Sequence, residues 1–142
     1  MSDTATNKAT VVRFWADLSR RDWEAIGTYF TDDAHYVDVA VLTTDGGAYG
    51  PERITARLRL GLEPLTGYRQ LPEKAMVAEG DVVITEHSEE WEWETGETVV
   101  LPFVSVHEFR DGLISRWWDY WDLATIANAA PAAWLERVAG GY

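Results

Sequence analysis

Long β-strand patterns, separated only by short glycine-containing connections, dominate the second half of the chain. We predict strands over residues 68–78, 82–93, 99–109 and 114–121. Their connections, Glu79-Gly80, Glu94-Thr95-Gly96-Glu97 and Arg110-Asp111-Gly112, have the length and composition of hairpin turns. Strands joined by such turns pair antiparallel, so this half of the chain predicts a curved, meandering antiparallel sheet.

Helical patterns occupy the beginning and the end of the chain. Apolar residues lie on one helical stripe of residues 7–19, and Asp22 is expected to cap a second helix that reaches Phe30. Pro51 is expected to open a third helix, through Leu62. A further strand is predicted over residues 35–41, and helices over residues 123–129 and after Pro131.

This order of elements predicts a single α+β domain over residues 1–142, a cone whose walls are the curved antiparallel sheet and whose floor is formed by the N-terminal helices. The residues that line the inside of such a cone can be inferred from the period of two along each strand. The interior is therefore the place to look for a functional site.

One face of the predicted strand over residues 82–93 combines ionisable groups with indole rings. Successive side chains in a strand point to opposite faces, so one side carries His87, Glu89, Trp91 and Trp93. Burying His or Glu without partners costs on the order of a few kcal/mol, so a face that served only as core would be expected to carry Val, Leu or Phe. This pattern favours the wall of a pocket.

Two other strands show the same combination. Trp117, Asp119 and Trp121 share one face of residues 114–121, and Tyr36 and Asp38 share one face of residues 35–41. We predict that the faces converge, with catalytic residues and apolar substrate-binding residues inside the cone. The predicted catalytic residues are Asp119, Glu89, His87, Tyr36 and Asp38, and the predicted substrate-binding residues are Trp91, Trp117, Trp121, Phe103 and Leu101.

Composition and charge narrow the classes of ligand. The formal charge of −12 argues against binding to nucleic acid or to an anionic membrane surface, since both need a basic patch. The chain contains no cysteine, and it has no apolar run of bilayer length or secretory signal pattern, so a cytoplasmic location is expected. Eight tryptophans indicate a site for a small hydrophobic substrate. Without a His-rich spacing, we expect no metal ion.

Three segments resemble the limonene-1,2-epoxide hydrolase family of the NTF2-like, SnoaL-like superfamily. The segment 117–123, Trp-Trp-Asp-Tyr-Trp-Asp-Leu, is similar to that family's Trp-Arg-Asp-Tyr-Phe-Asp stretch. The segment 85–89, Thr-Glu-His-Ser-Glu, resembles its Thr-Glu-Arg-x-Asp strand, and Tyr36-Val37-Asp38 falls where the family has Tyr-x-Asn. The resemblance implies an NTF2-like fold and a cofactor-free hydrolase that opens the epoxide of a small hydrophobic cyclic substrate.

The resemblance also implies roles for the matched residues. Asp119 would be the base, Tyr36 and Asp38 would position water, Glu89 would be the acid, and His87 would bridge the two carboxyl groups. His87 replaces a family Arg and Asp38 replaces a family Asn, so a fixed cation and an amide donor are lost. Three carboxyl groups in one cavity should leave at least one protonated near neutrality, and we expect them to favour the imidazolium form of His87.

Two other functions remain open. The chain also resembles the ketosteroid isomerase branch of the superfamily, in which an Asp matched to Asp38 abstracts a proton, and the SnoaL-type polyketide cyclases, which use a His and an Asp. A binding module without chemistry is the other alternative. Because Val100, Val104 and Val106 face away from the cone, we expect a homodimer formed across the outer face of the sheet.

Overall fold

The computed structural model describes residues 3–141 and contains five helices and seven strands within that range. In chain order they are α1 (Thr4–Ser19), α2 (Trp23–Gly27), β1 (Phe30–Asp38), β2 (Ala48–Tyr49), α3 (Pro51–Leu62), β3 (Gly67–Gln70), β4 (Ala75–Glu79), β5 (Val82–Glu92), β6 (Thr98–Arg110), β7 (Leu113–Tyr120), α4 (Leu123–Ala129) and α5 (Ala132–Gly141). The prediction of an α+β fold with a curved open sheet is confirmed.

The predicted start of α3 and the predicted cap of α2 are confirmed. The Asp22 carboxylate accepts a hydrogen bond from the backbone N–H of Ala25, and Pro51 occupies the first turn of α3, where its missing N–H costs nothing. The predicted extent of the second helix was wrong. It ends at Gly27, and Phe30 begins β1, so the predicted strand over residues 35–41 starts earlier and ends earlier than expected.

The strand order across the sheet is β2-β1-β7-β6-β5-β3, and β4 pairs with another part of β5. Among residues 3–141 the pairings are antiparallel except that of β1 with β7, which is parallel. The hairpins fix the relative directions of β4 to β7. By contrast, β1 is separated from these strands in the sequence by β2, α3 and β3. The turn pattern therefore carried no information about the direction of β1.

The predicted strand over residues 68–78 is two strands. Residues 71–74 separate β3 from β4, and both strands pair with β5. Pro72 lies in this interruption and has no N–H to donate to a strand ladder. The break falls directly after Gln70, at the edge of the inner face.

The core lies between the concave face of the sheet and the helices. Val11, Phe14, Trp15 and Leu18 of α1 are buried against that face, in the spacing of one helical stripe. On the convex face of the sheet, Val100 and Val104 are exposed, whereas their inward neighbours Leu101 and Phe103 are buried. The period of two along β6 thus separates core from surface as the sequence predicted.

Candidate active site

Strand register brings the predicted carboxyl groups together. Asp38 at the end of β1 is the register partner of Asp119 on β7, and Asp119 is the partner of Ser105 on β6. Glu89 lies on β5, the next strand, where it pairs with Leu101 of β6 and Gln70 of β3. All three carboxyl groups are buried on the concave side.

These groups face one cavity of about 220 Å³. Asp38, Glu89 and Asp119 contribute to its wall, together with Arg57 of α3. Most of the remaining wall is apolar or aromatic. It includes five residues of the predicted site, Tyr36, Trp91, Phe103, Trp117 and Trp121, and also Leu18, Leu58, Leu62, Ile126 and Trp134. An apolar cavity with a few convergent polar groups is the usual form of a site for a small molecule.

Asp119 is held from one side. Its Oδ1 lies 2.6 Å from the Ser105 hydroxyl oxygen and accepts a hydrogen bond from the Trp117 indole N–H at 2.6 Å. Burial, followed by the negative charge of Asp38, raises the pKa of the Asp119 carboxyl well above its ordinary value of 3.8. Burial thus favours the protonated form of Asp119 over the ionised form.

Glu89 has more donors around it. Its Oε1 accepts the Trp91 indole N–H at 3.0 Å, and its Oε2 accepts the Tyr68 hydroxyl at 2.7 Å and the Gln70 amide. Burial raises the pKa of Glu89 from 4.5 to about 7, and the hydrogen bonds oppose part of that increase. Glu89 is thus divided between its two protonation states near pH 7.

Asp38 completes the set. Its Oδ1 accepts the Tyr36 hydroxyl at 2.6 Å and the Trp121 indole N–H at 3.2 Å. Its negative charge contributes to the raised pKa values of both Asp119 and Glu89. The negative charge of Glu89 also raises the pKa of Asp119, as expected for charges that share a poorly solvated space.

The structure places His87 behind the cavity wall, which corrects its predicted position as a direct bridge between the carboxyl groups. The imidazole Nε2 lies 2.8 Å from the Ser105 hydroxyl and Nδ1 lies 3.1 Å from the Gln70 amide oxygen. The ring packs between Trp15 and Phe103, at centroid distances of 4.4 and 5.4 Å. His87 lines a second, separate cavity with Trp15 and Gln70, and not the cavity that holds the carboxyl groups.

The expectation of an imidazolium at His87 was also wrong. Burial lowers the pKa of His87 from 6.5 to about 4, so the ring is neutral at physiological pH. The two nearest carboxyl groups are separated from it by Ser105 and Gln70 and do not contact it directly. The penalty of desolvation therefore exceeds the attraction of the carboxylates.

Leu101 is the other predicted site residue that does not reach the cavity. It is fully buried in the hydrophobic core, on the inward face of β6, and does not line the cavity. Tyr68, Gln70 and Ser105 were missed as site residues. Tyr68 and Gln70 alternate on one face of β3, and Ser105 shares the inward face of β6, so a period of two could have identified all three.

Helix α5 closes the cavity in a way that sequence spacing did not indicate. Trp134 packs against Trp91 and Trp93, with centroid distances of 5.8 and 5.5 Å, and its indole N–H donates to the Gly61 carbonyl at 2.8 Å. Leu135, Val138 and Ala139 of the same helix join the cavity wall. The tryptophans thus frame the cavity and leave its interior open.

Within residues 3–141, no group of three or more His, Asp and Glu side chains is arranged to hold a metal ion. None of the helices in this range has the length and apolar character required to cross a bilayer.

Comparison with solved structures shows similarity to several proteins of this fold. An LEH-like epoxide hydrolase from M. tuberculosis is 21% identical, with a TM-score of 0.73, and the match covers 99% of this chain and 94% of that chain. TerC, co-crystallised with polyporic acid, is 25% identical over 87% of this chain and 97% of its own, with a TM-score of 0.74. A protein from Catenulispora acidiphila with a ketosteroid isomerase-like fold, in complex with trimethylamine, is 23% identical, with a TM-score of 0.73 and coverage of 88% and 95%.

No curated protein matches the chain. The model of the SnoaL-like domain family matches residues 11–117, which extend from α1 into β7 and include the cone and most of the site residues. The observed fold, a curved sheet with helices packed on its concave face, is consistent with this match. The chain belongs to the SnoaL-like domain family.

Proposed function

We propose that this protein is a cofactor-free hydrolase that opens the epoxide of a small hydrophobic cyclic substrate by acid- and base-assisted addition of water. The observation that carries the proposal is the set of three buried carboxyl groups, Asp38, Glu89 and Asp119, that face one apolar cavity. The negative charge of Asp38 raises the proton affinity of both Glu89 and Asp119, which supports a protonated and an ionised carboxyl in one cavity.

The reaction requires a proton donor for the epoxide oxygen and a proton acceptor for water. With its pKa near 7, Glu89 carries a proton in about half of the molecules near neutral pH, which suits a general acid. In the molecules in which Asp119 is ionised, its Oδ2 has no hydrogen bond to the described residues and can receive a proton from water. The proposed roles of these two residues agree with those implied by the resemblance to limonene-1,2-epoxide hydrolases.

The proposed step is balanced within the cavity. The oxygen of water forms a bond to one epoxide carbon while the bond between that carbon and the epoxide oxygen breaks. Asp119 takes one proton from the water, and Glu89 gives its proton to the former epoxide oxygen, which yields a diol. Tyr36 and Asp38 lie beside Asp119 and are proposed to hold the water for attack.

The cavity wall supports a neutral, hydrophobic substrate. Leu18, Leu58, Leu62, Phe103 and Ile126 are uncharged, and burying an anionic substrate beside three carboxyl groups would be unfavourable. The similar proteins include an LEH-like epoxide hydrolase, which supports the proposed reaction.

A second candidate is an isomerase or cyclase that abstracts a proton beside a ketone. It is favoured by Asp38, which is a carboxyl group where the hydrolase family has an amide. Asp38 accepts a hydrogen bond from the Tyr36 hydroxyl at 2.6 Å. In this reaction Asp38 would take the proton, and neutral Asp119 would donate a hydrogen bond to the carbonyl oxygen. The same buried groups would serve, but no water would be consumed.

A panel of cyclic epoxides and unsaturated ketones distinguishes these reactions. The proposal predicts turnover of at least one epoxide to a diol, and loss of that turnover in Asp119→Asn. Isomerisation of a ketone without epoxide turnover would favour the second candidate. Tight binding of a panel member without turnover of any would contradict both, and would favour a binding module.

A further inference from the structure

We propose that Asp119, Ser105, His87, Gln70 and Glu89 form one hydrogen-bonded chain that holds a single ionisable proton and thereby couples the protonation of the two carboxyl groups. The purpose of the coupling rests on the proposed function. The hydrogen-bonded chain of five residues is inferred from the geometry alone. Ser105, His87 and Gln70 would be positioning residues, because they act on the substrate only through Asp119 and Glu89.

Four hydrogen bonds connect the five residues in series. Asp119 Oδ1 contacts the Ser105 hydroxyl at 2.6 Å, Ser105 contacts His87 Nε2 at 2.8 Å, His87 Nδ1 contacts the Gln70 amide oxygen at 3.1 Å, and the Gln70 amide nitrogen contacts Glu89 Oε2. Asp119, Ser105, His87 and Glu89 are each at most 5% exposed, so water has little access to most of these contacts.

The number of hydrogens available to these four bonds is fixed by chemistry. The Ser105 hydroxyl supplies one hydrogen, and a neutral His87 ring supplies one. The Gln70 amide also supplies one, because its nitrogen faces Glu89 while its oxygen, which faces His87, can only accept. Three hydrogens cannot complete four hydrogen bonds. The fourth must come from a protonated Asp119, a protonated Glu89 or a second proton on His87.

The orientation of Gln70 and the environment of His87 assign that proton. The Gln70 oxygen faces His87 and its nitrogen faces Glu89, so Glu89 accepts and Nδ1 of His87 donates. Burial keeps the ring neutral, with its pKa lowered to about 4, so Nε2 carries no hydrogen and must accept from Ser105. Ser105 then accepts from Asp119, which carries the proton in the resting arrangement. The proposed hydrolysis starts from the reverse arrangement, in which Glu89 carries the proton and Asp119 is ionised.

Moving the proton to Glu89 would require the reverse arrangement of every member. Gln70 would turn its amide by a half rotation, His87 would change to the tautomer with hydrogen on Nε2, and Ser105 would donate to an ionised Asp119. The chain therefore disfavours the states in which both carboxyl groups are ionised or both are protonated. Such states would lack either the acid or the base that the proposed hydrolysis needs.

Other titratable groups lie around the chain but do not supply the missing hydrogen to any of its four bonds. Tyr68 donates its own hydrogen to Glu89 outside the series, and Asp38 accepts from Tyr36 and Trp121. Arg57 lines the carboxyl-bearing cavity, Glu73 lines the second cavity with His87, and the buried His107 lies on the adjacent strand. The hydrogen count is thus a property of the five residues.

Nitrogen-15 NMR of the His87 ring tests the chain without any substrate. In the unaltered protein near neutral pH we expect a neutral ring with hydrogen on Nδ1, the reverse of the tautomer preferred in solution. Carbon-13 signals should count about one proton shared between the carboxyls of Asp119 and Glu89. An Nε2–H tautomer, or two ionised carboxyl groups beside a neutral ring, would overturn the proposal.

Two variants should differ in that tautomer, since one should change it and the other should not. Gln70→Leu leaves two hydrogen bonds and two hydrogens, from Ser105 and His87, so the ring should change to the Nε2–H form and the pKa of Asp119 should fall. Ser105→Ala leaves the bonds to Gln70 and Glu89, so the Nδ1–H form should persist. Tyr68→Phe is the matched control, because it removes a hydrogen bond to Glu89 but no member of the chain.

Identical tautomers in Gln70→Leu and Tyr68→Phe would refute the coupling. If an epoxide is turned over, Gln70→Leu should lower kcat by about tenfold or more with little change in KM, since the residue orders the protonation states and does not touch the substrate. If no epoxide is turned over, the proposed function fails while the NMR outcome still decides whether the chain exists.

Discussion

The buried carboxyl of Glu89 should make the protein less stable as pH rises, and Glu89→Gln should remove that dependence. Burial raises the pKa of Glu89 in the folded protein to about 7, whereas the unfolded chain has the ordinary value of 4.5. A raised pKa means that the folded state binds the proton more tightly than the unfolded state. The associated stability is present below pH 4.5 and is lost as pH rises towards about 7.

The size of the effect follows from the two pKa values. Ionising Glu89 in the folded protein should cost roughly 3 kcal/mol of unfolding free energy above pH 7. Glu89→Gln also changes the hydrogen bonds with Trp91 and Tyr68, but that contribution does not depend on pH. The difference in unfolding free energy between variant and parent should therefore move in favour of the variant by roughly 3 kcal/mol between about pH 4.5 and about pH 8.

Urea unfolding, followed by tryptophan fluorescence at a series of pH values, measures this difference. Other groups that titrate, such as His87 and His107, do so in both proteins, so their effects largely cancel. Glu86→Gln is the matched control, because Glu86 lies on the same strand but is exposed, and it should show almost no change with pH. A constant difference between Glu89→Gln and the parent would refute a raised pKa at Glu89 and the acid role built on it.

Four further predictions address the site, the core and the surface. Asp119→Asn should reduce epoxide turnover by about a hundredfold or more in steady-state kinetics, with a nearly unchanged melting temperature, and full activity would remove Asp119 from the mechanism. Asp38→Asn restores the residue of the hydrolase family, so epoxide turnover should persist, whereas its loss together with ketone isomerisation in the parent would identify Asp38 as the base of an isomerase. The His107 ring is fully buried and neither nitrogen has a hydrogen-bond partner among residues 3–141, so His107→Leu should raise the unfolding free energy by about 1 kcal/mol near neutral pH. The gain should grow as pH falls from 6.5 towards 3, because the lowered pKa of His107 destabilises the parent protein in that range. Equal or lower stability of the variant in denaturant titrations would contradict this. We propose that the exposed outer sheet face around Val100 and Val104 pairs with a second copy, so light scattering should give twice the mass of one chain, and a monomer at micromolar concentration would exclude it.

Much of the site could be predicted because β5 and β7 obey a strict period of two. Glu89, Trp91 and Trp93 face inward together, as do Trp117 and Asp119, and the hairpin turns establish that both strands pair with β6. Local sequence was sufficient for this part because each hairpin connects strands that are adjacent in the sheet.

The remaining features depend on contacts that no local pattern encodes. The parallel pairing that sets Asp38 beside Asp119 is made between strands far apart in sequence. One miss was local instead: the predicted strand over residues 68–78 ran through Pro72, so the end of β3 and the role of Gln70 beside Glu89 were overlooked. The protonation state of His87 depends on whether desolvation or attraction to carboxylates is larger, which sequence alone could not decide.

Incorporation of oxygen-18 from labelled water into the product of a cyclic epoxide tests the proposed reaction most directly. We expect one labelled oxygen in each diol formed by the unaltered protein, and no labelled diol above background with Asp119→Asn, since its amide cannot take a proton from water. Formation of the diol at an equal rate by Asp119→Asn, or an enzyme that turns over ketones and incorporates no label from any epoxide, would contradict the assignment of Asp119 and Glu89 as the base and acid of an epoxide hydrolase.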